Sequence, residues 1–241
     1  MVFNMVEIQL DLASFHTFLY DVMGYRGRLE VDYGYAVHQW LAAAFGELAP
    51  KPWRFFINRS GSARVLGYSE ADAQELRGQL NEFALPCAIS VCPRPEVMIN
   101  SKPMPQWHRG RRLGFQVLCC PVGRKAGSGV EKDLFLIRAE GGAHDLQRES
   151  VYADWLKERF EAGGATVHDV RMTGFRLVRL RRQMRFQTNQ ERKSAMITRP
   201  HALLEGNLTV TDPESFAQML RKGLGRHRSF GYGMILLSSP R

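Results

Sequence analysis

Two stretches of this sequence space their side chains so that they could do chemistry on a phosphate ester. In YAVHQWLAAAF, Tyr35 and His38 stand at i and i+3, so a helix over residues 34–45 sets both on one face while Trp40, Leu41 and Ala44 form an apolar side. An imidazole exchanges protons near neutral pH, and a helix N-terminus favours its neutral form by opposing added positive charge. The second stretch is KGLGRHRSFGYG, where Gly223, Gly225, Gly231 and Gly233 let the backbone approach a ligand closely. Lys222, Arg226, His227, Arg228 and Ser229 supply the charge and hydrogen bonding that a phosphate needs, with the basic side chains pointing outward. The alternative for this stretch is an ordinary connection with incidental arginines. A dinucleotide fingerprint is excluded, because it runs strand, G-x-G-x-x-G, helix, whereas this loop follows a helix and leads into a strand.

Charge points the same way. Lys and Arg number 33 against 24 Asp and Glu, a net charge of +9 with a pI near 9.7, which favours a polyanionic partner. Between Arg171 and Arg199 the sequence carries Arg171, Arg176, Arg179, Arg181, Arg182, Arg185, Arg192, Lys193 and Arg199 against Glu191 alone, so nine minus one leaves +8. Read as a helix, this segment sets Leu177, Leu180 and Met184 on a narrow stripe opposite Arg176, Arg179, Arg182 and Arg185. Read as strands, the pattern is poorer but possible. Arginines interleaved with Phe175 and Phe186 suit structured RNA, which proteins enter by charge and shape more than by base reading. The alternative is a solvated face, although such faces usually mix signs.

The remaining chemistry is sparse. The seven histidines show no H-E-x-x-H spacing, so neither a catalytic metal nor a cofactor is expected. Cys87, Cys92, Cys119 and Cys120 form no C-x-x-C pair and read as buried thiols rather than zinc ligands. The opening MVFNMVEIQLDLASF lacks a basic n-region and carries Glu7 and Asp11, and no apolar run has the length of a membrane span. A soluble cytoplasmic protein with no membrane partner is expected.

The elements that must position these residues follow from periodicity. Val6 to Leu12 reads as a first strand, followed by a loop holding Gly24, Arg26, Gly27 and Arg28, then the helix of residues 34–45. Trp53 to Ile57 and Ala63 to Leu66 read as a hairpin turned by Asn58 to Ser62, Ser69 with Asp72 as a capping box for a helix through Leu80, and Ala88 to Cys92 as a closing strand. The order is β-α-β-β-α-β, the ferredoxin-like plan of RNA-recognition domains. The proline-rich stretch from Cys92 to Pro105 marks a boundary between a domain over residues 1–95 and one over 106–241. In the second domain Leu113 to Cys119 and Leu134 to Ile137 read as strands, Gly123 to Gly129 as a basic turn, Ser150 to Phe160 as a helix and Ala165 to Met172 as a strand. Leu203 to Leu237 then supplies a strand, a helix capped by Asp212-Pro213, the glycine-rich loop and a last strand. The expected class is therefore α+β, two tandem ferredoxin-like domains, the second elaborated with the arginine-rich insertion of residues 171–199.

The order Gly206-x-Leu208-x-Val210-x-Asp212-Pro213, an apolar helix, then GLGRHRSFGYGM resembles the C-terminal signature of the CRISPR repeat-cleaving endoribonucleases of CasE type. Tyr35, His38 and Ala44-Phe45-Gly46 are similar to the stretch of that family that carries its histidine. Weaker likeness runs through Phe55 to Arg59 with Val65-Leu66, Gly114 to Leu118 with Pro121, Arg124 and Lys125, and Tyr152 to Leu156. The long segment from Phe15 to Glu30 and the density of arginine depart from the pattern and leave open a related processing nuclease of type IV systems. The resemblance implies metal-independent cleavage of precursor crRNA at a repeat hairpin, leaving a 2′,3′-cyclic phosphate and a 5′-hydroxyl, with the product retained and other Cas subunits as partners. It implies His38 as acid or base, Tyr35 as a proton-handling or orienting partner, and Arg26 or Arg28 as charge stabilisers. RNA contacts would come from Arg124, Lys125, the arginine-rich segment and the glycine-rich loop. The rival is a non-catalytic protein that holds an RNA hairpin within a ribonucleoprotein complex.

Overall fold

The computed structural model describes residues 3–23, 32–58, 61–124, 130–142, 145–183 and 194–240, apart from the side chains at 22, 23, 181–183, 194 and 195. The chain forms two compact units. One comprises Met1–Gln106, Leu220–Gly223 and Arg228–Met234, and the other Trp107–Met219, Leu224–His227 and Ile235–Arg241.

The first unit runs β1 (Asn4–Leu10), α1 (Leu12–Met23), α2 (Tyr33–Phe45), β2 (Trp53–Ile57), β3 (Ala63–Ser69), α3 (Ala73–Phe83), α4 (Pro86–Ile89), α5 (Pro95–Met98) and β4 (Ile99–Pro103). Its sheet is antiparallel in the order β2-β3-β1-β4, the ferredoxin-like arrangement. Register follows the alternation of apolar residues: Ile8 lies opposite both Val65 and Ile99, and Val6, Ile8 and Leu10 all face the core. Against that face pack Phe15, Phe18 and Leu19 of α1, Val37, Trp40, Leu41 and Phe45 of α2, and Leu76 and Leu80 of α3.

Three expectations for this unit are corrected. Residues 12–23 form a helix where only a loop was expected. Ala88 to Cys92 is not a strand, because Pro86 starts a helical turn, and its apolar residues are buried from there; the Ala88 carbonyl accepts the Trp40 indole N–H at 3.1 Å. The closing strand is β4, within the proline-rich stretch, and Pro95, which opens α5, is buried. The capping box lies three residues further along: Asp72 accepts from the N–H groups of Gln74 and Glu75, and the Glu75 carboxylate accepts from the Asp72 N–H at 2.8 Å.

The second unit runs β5 (Arg112–Cys119), β6 (Val122–Arg124), β7 (Glu131–Asp133), α6 (Leu134–Glu140), α7 (Arg148–Ala162), β8 (Ala165–Gln183), β9 (Ser194–Val210), α8 (Pro213–Lys222), whose last turn from Leu220 counts with the first unit, and β10 (Ile235–Ser238). The sheet order β10-β5-β9-β8, antiparallel throughout, repeats the plan of the first unit, with β6, β7 and α6 inserted after its first strand. The run Leu134 to Ile137 is helical, not a strand. Asp133 caps it by accepting from the Phe135 N–H at 2.9 Å. The same buried carboxylate accepts from the Tyr152 hydroxyl at 2.8 Å and pairs with Arg148, whose guanidinium lies 4.5 Å from the centre of the Phe175 ring. This cluster ties α6 and α7 to β8 below the point where β8 and β9 continue as a long hairpin.

Candidate functional site

In the first unit, Asp32 fixes the start of α2 by accepting from the Tyr35 N–H at 3.0 Å. Because Ala36, Val37, Trp40 and Leu41 turn into the core, Tyr35 and His38 fall on the flank of the helix, Tyr35 nearly buried and His38 partly so. Phe230 of the glycine-rich segment covers both: its ring stacks on Tyr35 at 6.3 Å and meets the His38 imidazole edge-on at 5.7 Å. The fit extends to the backbone. A Cβ at Gly34 would stand 2.7 Å from the Phe230 carbonyl oxygen, and one at Gly231, where φ is +84°, would stand 2.8 Å from the Trp53 ring. Burial, and then the positive charge of Lys51, push the His38 imidazole below its ordinary value, so at neutral pH it is neutral and able to accept a proton. Phe230 and Lys51 were not among the residues expected to serve the site. Aromatic spacing within SFGYG marks Phe230 as a candidate only once the loop is known to fold onto α2.

All four glycines of the loop adopt positive φ, as expected of a segment that bends tightly: 70° at Gly223, 78° at Gly225, 84° at Gly231 and 80° at Gly233. Its basic side chains do not simply point outward. In the second unit Arg226 donates to Glu131 at 2.5 Å, His227 lies 3.1 Å from the other carboxylate oxygen, and Arg199 is 3.5 Å from that same oxygen. In the first unit Arg228 donates to the Lys222 carbonyl, while Lys222 itself is exposed and Ser229 half-buried. Burial opposes ionisation of Glu131, but the Arg226 hydrogen bond and the charges of His227 and Arg226 outweigh it and hold the carboxyl below its ordinary value. Two guanidiniums on one carboxylate leave a formal +1, so the cluster stays electropositive. His227 takes a φ of 60°, uncommon outside glycine, to make this contact.

The arginine-rich segment resolves to the strand alternative. Arg176 lies opposite His201 and Arg179 opposite Thr198 in the β8/β9 hairpin. Residues three apart on a strand project to opposite faces, so the single arginine face of the helical alternative is replaced by arginines on both faces. Arg176 and Arg179 are exposed, with Phe175 and Leu177 exposed beside them. Arg181 and Arg182 stand opposite Met196 and Ala195 in the same ladder, their side chains undescribed, and Arg185, Arg192 and Lys193 lie outside the described residues, as do Arg26, Arg28 and Lys125. Arg124 is exposed at the end of β6. Cys92, Cys119 and Cys120 are buried free thiols, with burial the leading cause that pushes Cys92 and Cys120 up to about 12, and Cys87 is partly exposed. Among the described residues no helix is long and apolar enough to cross a membrane.

Two ferredoxin-like units in one chain, with a basic hairpin on the second and a Tyr-His pair on the first, define a tandem ferredoxin-like protein. The sequence model of the family described as CRISPR associated protein matches residues 5–239, and the chain belongs to that family. Its fold is shared with solved structures of CRISPR endoribonuclease Cse3 bound to 19 nt RNA (TM-score 0.67, 19% identity, 100% of both chains) and of Thermus thermophilus Cse3 bound to an RNA representing a pre-cleavage complex (TM-score 0.64, 18% identity, 99% of this chain and 100% of the other). A chain of a CRISPR RNA-guided surveillance complex is similar at a TM-score of 0.52 and 13% identity, over 97% and 99% of the two chains. No curated protein matches the sequence.

Proposed function

We propose that this chain is a metal-independent endoribonuclease that binds a CRISPR repeat hairpin, cleaves precursor crRNA and keeps the product as a subunit of an effector complex. The observation that carries the reading is the Tyr35-His38 pair on one face of α2, the imidazole held neutral beneath Phe230. The fold shared with RNA-bound Cse3 and with a chain of a surveillance complex supports the choice of substrate and partners.

In this reaction the 2′-hydroxyl attacks the neighbouring phosphorus and the bond to the 5′-oxygen breaks, leaving a 2′,3′-cyclic phosphate and a 5′-hydroxyl. The proton from the 2′-hydroxyl passes to His38, for which a neutral imidazole is the competent form, and the departing 5′-oxygen takes a proton from water, which leaves it as the hydroxyl. Tyr35 orients the reacting ribose, and the Lys51 charge that acts on His38 also offsets negative charge gathering on the phosphorane. The exposed Arg176 and Arg179 of the hairpin and the electropositive Arg199-Arg226 cluster hold the RNA backbone. Arg26 and Arg28 remain proposed charge stabilisers.

Cleavage is expected to continue in excess EDTA and to stop when the nucleotide before the cut is 2′-deoxy, measured on a gel with end-labelled hairpin. Full loss in chelator with recovery in magnesium overturns the reaction. Tight binding without any cleavage assigns the protein to non-catalytic hairpin binding instead. Replacing Arg176 and Arg179 with alanine is expected to weaken hairpin binding and to lower the log-log salt slope by about 0.7 to 0.9 for each phosphate no longer neutralised. A fall in affinity with an unchanged slope would mean that the arginines act through folding.

A further inference from the structure

From Val97 to Val130 the chain contains no Asp or Glu, yet it carries Lys102, Arg109, Arg111, Arg112, Arg124 and Lys125. Three of these cations fall in one turn, WHRGRRL, that leads into β5. His108, Arg109, Arg111 and Arg112 are all exposed there, and no described residue engages their side chains in a hydrogen bond or ion pair. The turn itself is pinned. Trp107 packs edge-on against Phe216 at 5.2 Å, the Gly110 N–H donates to the Val210 carbonyl at 2.8 Å, and the Val210 N–H donates to the Arg111 carbonyl at 3.0 Å. A pinned turn that displays three guanidiniums without partners among the described residues has the electrostatics of a phosphate-binding surface, since guanidinium matches phosphate in geometry and charge.

Position separates this surface from the arginine-rich hairpin. Arg112 lies opposite Thr209 of β9, whereas Arg179 lies opposite Thr198 of the same strand. Eleven residues of strand span about 37 Å at roughly 3.4 Å each. Even at the wider DNA spacing of about one phosphate per 1.7 Å of axis, roughly twenty duplex phosphates span the distance between the two patches. An RNA held at the hairpin reaches the turn through strand that continues beyond a short stem, and the substrate of an endonuclease always continues beyond the cut. We infer that the His108 to Arg112 turn is a second RNA-binding site, which takes the phosphates of single-stranded RNA flanking the repeat hairpin. This rests on the RNA reading above.

The test compares the full chain with an Arg109→Ala, Arg111→Ala, Arg112→Ala variant and with its Arg→Lys counterpart. Dissociation constants are measured across a salt series for a minimal hairpin and for the same hairpin with a 5′ or a 3′ single-stranded extension. The wild type is expected to show a slope on one extended RNA steeper by roughly 2 than on the minimal hairpin, from three phosphates neutralised at about 0.7 each. The alanine variant should lose that increment and keep its affinity for the minimal hairpin, while the lysine variant keeps the increment. An unchanged slope on extended RNA, an equal loss on the minimal hairpin, or a lysine variant as impaired as the alanine one overturns the site. A wild type that binds none of the three RNAs overturns the function proposed above instead.

Discussion

His38→Ala is expected to lower the single-turnover rate of repeat cleavage by about 10²- to 10⁴-fold, the usual contribution of a general acid or base, and to leave hairpin affinity nearly unchanged. The split follows from position: His38 sits on a fixed helix flank, whereas the arginines proposed to grip phosphate lie on the hairpin and the glycine-rich loop. The pH profile carries a signature. A base must be unprotonated, and burial with Lys51 lowers the His38 pKa, so the rate should hold through neutral pH and fall only as pH drops below the ordinary 6.5. The same shift makes the folded state prefer neutral imidazole, so His38 contributes stability that is lost as pH falls through the imidazole range. A normal rate for His38→Ala beside a collapse for Arg26→Ala or Arg28→Ala would transfer the chemistry to those arginines.

Phe230→Ala should produce the next largest effect, a loss approaching 10²-fold in rate, as expected when a reacting group is displaced by about an ångström. Its ring is the shared neighbour of Tyr35 and His38, so its removal frees both and admits water to the imidazole. The acid limb of the pH profile should therefore move up toward 6.5 as His38 regains solvent. Phe230→Leu should restore burial and part of the rate, and circular dichroism on both variants checks that the fold persists. An unshifted profile in the alanine variant would leave Phe230 a packing residue only.

What the sequence made legible is what local pattern encodes. Helix α2 appears where its i, i+3 spacing places it, and α8 starts at Pro213, directly after the capping Asp212. Short apolar runs misled: Ala88 to Cys92 and Leu134 to Ile137 are too brief for periodicity to separate a buried helix from a strand, and the deciding signals were Pro86 and the capping Asp133. The hairpin arginines looked helical because three- and four-residue spacings occur by chance in a segment so rich in one residue type. The site was half legible. Tyr35 and His38 carry their relation in four consecutive positions, but Glu131 meets Arg226 across 95 positions, and nothing local in either stretch announces the pair.

The division of the chain into units has a consequence for biosynthesis. The first unit includes Arg228–Met234, although its last strand ends at Pro103. Ribosomes add about 5 to 20 residues per second, so Phe230 and Gly231 emerge roughly 6 to 25 s after that strand. During that interval the sheet and α2 exist without the segment that closes over Tyr35, His38 and Trp53. The nascent chain thus presents an aromatic surface with its partner still unmade, open to a holding chaperone or to a protease. The aromatic cover over Tyr35 and His38 is the last part of this unit to form, and a chain halted anywhere before Phe230 would carry the histidine without the ring that covers it.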